Sequence, residues 1–126
     1  MRRHVRRAGV LAVLAGVGVL AGIFLPTGSA SSTSPHASRV TINVVASEWK
    51  FTLSKRTVPV GTTVVFKVTN KGKIAHDFKI SGRKTRKLSP GKSDTLRVVL
   101  SKGNHTYICT IDSHAQFGMK GTFKST

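Results

Sequence analysis

From Val40 onward the apolar residues fall at alternate positions, and no stretch carries the three-and-four spacing of a helix. Val40, Ile42 and Val44 alternate with Thr41, Asn43 and Val45; Val64, Phe66 and Val68 share one face; Leu96, Val98 and Leu100 share another. A period of two is the mark of strands with one buried face. Turn chemistry separates the alternating pieces: Val58-Pro59-Val60-Gly61, Asn70-Lys71-Gly72-Lys73, Ser81-Gly82, Ser89-Pro90-Gly91-Lys92 and Lys102-Gly103-Asn104. Pro presets φ and Gly tolerates a positive φ, so these are turns with a physical cause. Short strands at such spacing predict an all-β sandwich. The predicted strands are residues 40–49, 50–53, 62–69, 74–80, 94–100, 105–109 and 119–124. Residues 83–87 are basic with no apolar face and read as a solvated loop, anchored at its end by Leu88. Trp49, Phe51, Phe66, Phe78 and Phe123 are expected to supply much of the core.

The chemistry is concentrated in residues 107–121. Cys109 is the single cysteine, His114 follows it after a gap of four residues, and Met119 follows after four more. Far upstream, His76 lies on a predicted strand. One thiolate, two imidazoles and one thioether form a mixed soft and borderline donor set. Copper suits such a set, because it cycles between a soft cuprous and a harder cupric state; two His, one Cys and a weak axial Met make the blue-copper electron-transfer arrangement. Plainer readings exist for each residue. Cys109 could be a small core hydrophobe, His76 an ordinary strand histidine and Met119 core filler. A Cys109 nucleophile with His114 as base would need an orienting third group that the loop does not offer. His105 would point to the same face as Cys109 but four residues down the strand, too far to share an ion, so it receives no ligand role.

The Cys-x4-His-x4-Met loop, the strand tyrosine Tyr107 before it and the distant His76 resemble the cupredoxins, the type 1 blue copper proteins. The likeness is to plastocyanin- and azurin-like small secreted bacterial members, and it spans residues 40–126. It implies a Greek-key β-sandwich binding one copper ion. His76, Cys109 and His114 would be equatorial ligands and Met119 axial. It further implies that the outer edge of His114 reaches the surface, with Ala115, Phe117 and Gly118 as an apolar rim that a partner touches. Asp77 stands where an Asn is common in the family. It could still brace the loop by accepting a hydrogen bond from the backbone or hydroxyl of Thr110. All coordination positions would be filled, so a carrier rather than an enzyme is expected.

The N-terminus reads as a secretory signal. Four arginines lie within the first seven residues, and an uncharged apolar run of residues 8–25 ends at Pro26. Gly28-Ser29-Ala30 follows, with small residues at the spacing a signal peptidase accepts. The expected organisation is a signal peptide at residues 1–30, a disordered linker at 31–39 containing an idle His36, and the copper domain at 40–126. An uncleaved membrane anchor over residues 8–25 is the alternative. No cysteine stands at the cleavage site, which excludes a lipoprotein anchor. A single cysteine allows no internal disulfide and no binuclear copper centre.

The formal net charge is +17. Residues 1–30 hold four arginines and no acid, so a mature chain of 96 residues keeps +13. The acids are Glu48, Asp77, Asp94 and Asp112. So basic a surface implies an acidic redox partner, an anionic membrane surface or a cell-wall polymer. Export, and the lack of aromatics interleaved with the basic residues, speak against nucleic acid. The chain is thus expected to be an exported, periplasmic, cell-surface or secreted monomer carrying single electrons. The alternatives are a copper carrier without a redox partner and a basic surface-binding module.

Overall fold

Strand β1, Arg39–Ser47, turns Ile42, Val44 and Ala46 inward and leaves Thr41 and Asn43 in solvent, following its alternation. The computed structural model describes residues 13–18, 22, 28 and 37–126. Most of the signal peptide, of the anchor alternative and of the linker, His36 included, lies outside the described residues. Among the described residues no helix is long and apolar enough to cross a membrane. Strand β1 begins at Arg39, one residue inside the expected linker.

Eight further strands follow: β2 Lys50–Leu53, β3 Thr57–Val58, β4 Thr63–Asn70, β5 Lys79–Ile80, β6 Arg83–Lys84, β7 Ser93–Val99, β8 Gly103–Ile108 and β9 Lys120–Ser125. They form a four-stranded sheet in the order β2-β1-β4-β7 and a five-stranded sheet in the order β3-β9-β8-β5-β6. The β-sandwich expected from the alternation is what forms. Strands β1 and β4 run parallel, with Ile42 beside Phe66 and Val44 beside Val68. Strand β3, which ends at Val58 just before Pro59, is confined to a sheet edge beside β9. That is the place open to a chain whose next residue cannot donate.

The core is aromatic at its centre. Phe66 meets Phe78 and Phe123 at ring-centroid distances of 5.2 and 5.3 Å, and Phe78 stacks on Tyr107 at 5.4 Å. Such contacts add about 0.5–1.5 kcal/mol each beyond the area they bury.

Three expectations need correction. Residues 74–80 are not one strand: only Lys79 and Ile80 pair as β5, and His76 makes an isolated bridge with Leu88. His76, Asp77 and Phe78 are buried in succession, which an alternating strand with one wet face would not allow. Residues 83–87 are not wholly a solvated loop. Arg83 and Lys84 form β6, and buried Thr85 accepts a hydrogen bond from Phe78 N through Oγ1. Trp49 is not in the core: it is 39% exposed, and Tyr107 takes a central place instead.

Gly121 pairs with Tyr107 across β8 and β9, and a Cβ there would overlap the buried Tyr107 ring and hydroxyl. Gly121→Ala should therefore cost about 1–3 kcal/mol by overpacking. Urea unfolding of the variant should give a lower midpoint, and an unchanged midpoint would contradict the packing described.

Candidate metal centre

Strand β8 ends at Ile108 and delivers Cys109 to the mouth of the sandwich. The chain then makes a run of tight turns before rejoining the sheet as β9. His114 N donates to Ile111 O, Phe117 N to Ser113 O and Gly118 N to Ala115 O. Gly118 has a φ of 106°, in the left-handed region that favours glycine. Two backbone bonds then close the loop: Met119 N donates to His114 O, and Cys109 N donates to Met119 O, each at 3.0 Å. This clasp holds Cys109, His114 and Met119 in one group, and all three are buried.

His76 arrives from the other side. Its backbone exchanges two hydrogen bonds with Leu88, at 3.0 and 2.8 Å. The side chain of Asn70, fully buried, holds the same segment. Its Nδ2 donates to Ile74 O at 2.7 Å and Leu88 O at 2.8 Å, while Oδ1 accepts from Gly72 N at 2.8 Å.

These supports turn the side chains toward one point. His76 Nδ1 lies 3.2 Å from His114 Nδ1, and Cys109 Sγ lies 3.5 Å from His114 Nδ1. One donor atom from each of His76, Cys109 and His114 falls within 4.8 Å of the others. A thiol and two imidazoles turned inward on one another, with a buried thioether residue clasped to them, fit copper by donor chemistry. Burial pushes the Cys109 thiol above its ordinary value. Burial also holds the His76 imidazole low, helped by His114, while Glu48 and Asp77 pull it the other way.

The remaining predicted residues are placed as follows. Asp77 accepts from both Thr110 N and Thr110 Oγ1. Lys84 Nζ stands 3.8 Å from the same carboxylate. Phe117 is 63% exposed. Ala115 is half-buried and Gly118 exposed. His105 is bound elsewhere, with Nδ1 at 2.8 Å from Ser81 Oγ and Nε2 at 2.8 Å from Ser101 O.

The expected exposed edge of His114 is covered. The residue is only 5% exposed, because Trp49 packs edge-on against its ring at 5.0 Å and Phe117 packs against Trp49 at 4.9 Å. Sequence reasoning missed this role of Trp49, and it missed Glu48 altogether. Both sit at the two-residue turn between β1 and β2, where Ser47 pairs with Lys50. Glu48 Oε1 accepts from the amides of Lys73 and Ile74 and lies 3.6 Å from His76 Nε2. The available signals were modest: the only tryptophan and one of four acids stand side by side at a turn.

The Cupredoxin-like domain family matches residues 18–123. No curated protein matches the chain closely enough in sequence to carry an argument. Among solved structures, dithionite-reduced auracyanin from Roseiflexus castenholzii superposes with a TM-score of 0.61 at 22% identity, over 71% of this chain and 98% of that one. Auracyanin A of Chloroflexus aurantiacus, described as a blue copper protein, gives 0.61 at 16% identity, over 71% of this chain and 100% of that one. Reduced rusticyanin gives 0.59 at 21% identity, over 71% and 80%. At such identities the likeness speaks to the fold, while the family match spans most of the sequence. The chain belongs to the cupredoxin-like domain family.

Proposed function

We propose that the protein is an exported mononuclear type 1 copper protein that carries single electrons between redox partners. The observation that carries this reading is the convergence of His76, Cys109 and His114 within 4.8 Å of one another. His76 Nδ1, His114 Nδ1 and Cys109 Sγ would hold copper, with the Met119 thioether as a fourth, weaker donor. When bound, copper supplies a one-electron couple. The chain's own work is to fix the donors. The backbone clasp and the Leu88 bridge leave little freedom to rearrange, and a geometry suited to both oxidation states needs little rearrangement. With four donors supplied by the chain, no position on the metal would be left for a substrate, which favours a carrier over an enzyme.

Residues 1–30 support export, by the arginine cluster, the apolar run and the small residues at positions 28–30. Ala115, Phe117 and Gly118 would form the partner contact, and Trp49, lying between Phe117 and His114, would join it. Long-range attraction from the basic surface would draw in an acidic redox partner.

Cupric ion bound to wild-type protein should give an intense visible charge-transfer band from the copper–thiolate bond. Cys109→Ser should remove it while the urea midpoint of the metal-free domain stays near wild type. A cupric-loaded wild-type protein without that band would overturn the type 1 reading.

Uptake of cupric ion should also depend on pH. The Cys109 thiol, pushed up by burial, is protonated at neutral pH and must lose that proton to the metal. Apparent affinity should therefore rise about tenfold per pH unit near neutrality. His76, held low, competes for protons only at more acidic pH. Competition titrations against a chelator, corrected for the chelator's own protonation, would measure the slope. A flat profile would remove Cys109 from the ligand set.

The charge proposal has its own test. Steered association reaches about 10^8–10^9 M⁻¹s⁻¹ at low salt and falls as ions screen it. The Debye length shrinks from about 30 Å at 0.01 M salt to about 10 Å at 0.1 M. Stopped-flow electron transfer with an acidic partner protein should slow strongly across that range. Replacing Arg83, Lys84, Arg86 and Lys87 with Glu should flatten the dependence, whereas Phe117→Asp should slow transfer with little change in salt slope. A wild-type rate indifferent to salt would separate the charge from the electron partner.

A further inference from the structure

Glu48 stands at the tip of the β1–β2 hairpin, and its carboxylate reaches under the segment that carries His76. Oε1 accepts the backbone amides of Lys73 and Ile74. The same oxygen is 3.6 Å from His76 Nε2. That nitrogen belongs to a fully buried ring and has no hydrogen-bond partner. Nδ1 of the ring is turned the other way, toward His114. A buried N–H without an acceptor is costly, and Glu48 offers one a few tenths of an ångström beyond ordinary bonding distance.

The neighbouring backbone is shaped for this approach. A Cβ on Gly72 would stand 2.5 Å from Glu48 Oε1. Only glycine lets the carboxylate lie where it does. The obstructing atom is the end of a flexible side chain, and the φ of Gly72 is not in the left-handed region, so alanine there displaces Glu48 rather than the fold.

We propose that the Glu48 carboxylate is the acceptor for His76 Nε2–H, which makes Glu48 a positioning residue that sets the donor strength of His76. The inference rests on the copper reading given above. A carboxylate accepting the remote N–H of an imidazole fixes the tautomer that leaves Nδ1 free to bind metal, and it makes Nδ1 more basic. A more basic nitrogen favours the harder cupric ion over the cuprous one, so Glu48 lowers the reduction potential.

The test measures the potential of the copper-loaded full chain together with the His76 ring N–H signal in ¹⁵N NMR of the metal-free and cuprous forms. In Glu48→Ala the cupric form should weaken about tenfold relative to the cuprous form, which is a rise of about 59 mV for a one-electron couple. The ring N–H should move upfield and exchange faster with water in both forms. Gly72→Ala keeps the charge but displaces the carboxylate, and should shift potential and signal the same way. Glu48→Gln keeps an acceptor and should recover most of the N–H protection. If Glu48→Ala leaves both readouts at wild type, the proposal is wrong. It is equally wrong if Glu48→Ala moves the potential while Gly72→Ala does not and Gln behaves as Ala, since that is charge acting at a distance. Should Glu48→Ala not fold, Gly72→Ala alone decides by the same two readouts. A wild-type sample without the visible copper band would instead overturn the copper reading, while the metal-free N–H signal would still report on the Glu48 contact.

Discussion

Buried backbone must find hydrogen-bond partners, and the segment between β4 and β5 has almost no ladder to find them in. It brings His76 to the site as an irregular arm. Side chains supply most of what a sheet would have supplied. Asn70 takes Gly72 N, Ile74 O and Leu88 O, and Glu48 takes Lys73 N and Ile74 N. The arm's backbone pairs are few: His76 exchanges two bonds with Leu88, Lys71 N donates to Ala46 O, and Phe78 O accepts from Thr85 N. An arm held this way can project three successive buried side chains, which no strand with one wet face could do. The position of one imidazole thus depends on two polar residues that never face the Cys109 thiol.

The few acids of this basic chain follow the same logic. Glu48 receives the Lys73 and Ile74 amides, Asp77 the Thr110 amide and hydroxyl, and Asp94 the Arg86 and Thr95 amides. Three of the four acids therefore hold loop or strand-end backbone, and two of those three lie around the inward-facing donors. Those backbone bonds hold the carboxyls of Glu48 and Asp94 below the usual range. A surface so biased toward positive charge can still keep carboxylates where amide donors converge.

Much of the fold was legible because it rests on local signals. Alternation at Ile42, Val44, Val64, Phe66 and Val68 names the inner face directly, and the single cysteine followed by His114 and Met119 names the loop. What could not be read rests on non-local contacts. Residues 74–80 carry apolar residues at strand spacing, yet the sequence does not say that Asn70 and Glu48 will replace the ladder. The burial of Thr85 depends on Phe78 N needing an acceptor, seven residues away. Trp49 reads as core by its hydrophobicity. Its place is set instead by a tight turn at the end of the sandwich, where only part of its surface can be covered. Burial of His114 follows from that placement and leaves no trace in its own loop.

That turn joins the two imidazoles in one device. Trp49 has a φ of 54°, uncommon for a bulky residue and costing about 1–3 kcal/mol when held there. Glycine or asparagine would relieve the cost, so compensation must come from contacts that only this side chain makes. They are the edge-on packing on His114 and the contact with Phe117. The same turn sends Glu48 the other way, to His76 and its supporting amides. Adjacent residues of one hairpin tip therefore reach the two histidines, one by an aromatic face and one by a carboxylate. Neither Trp49 nor Glu48 belongs to the 109–119 loop that carries the family motif. The loop can keep its spacing while the hairpin tip changes, which separates the residues that hold the donors together from those that set how each imidazole is covered and polarised.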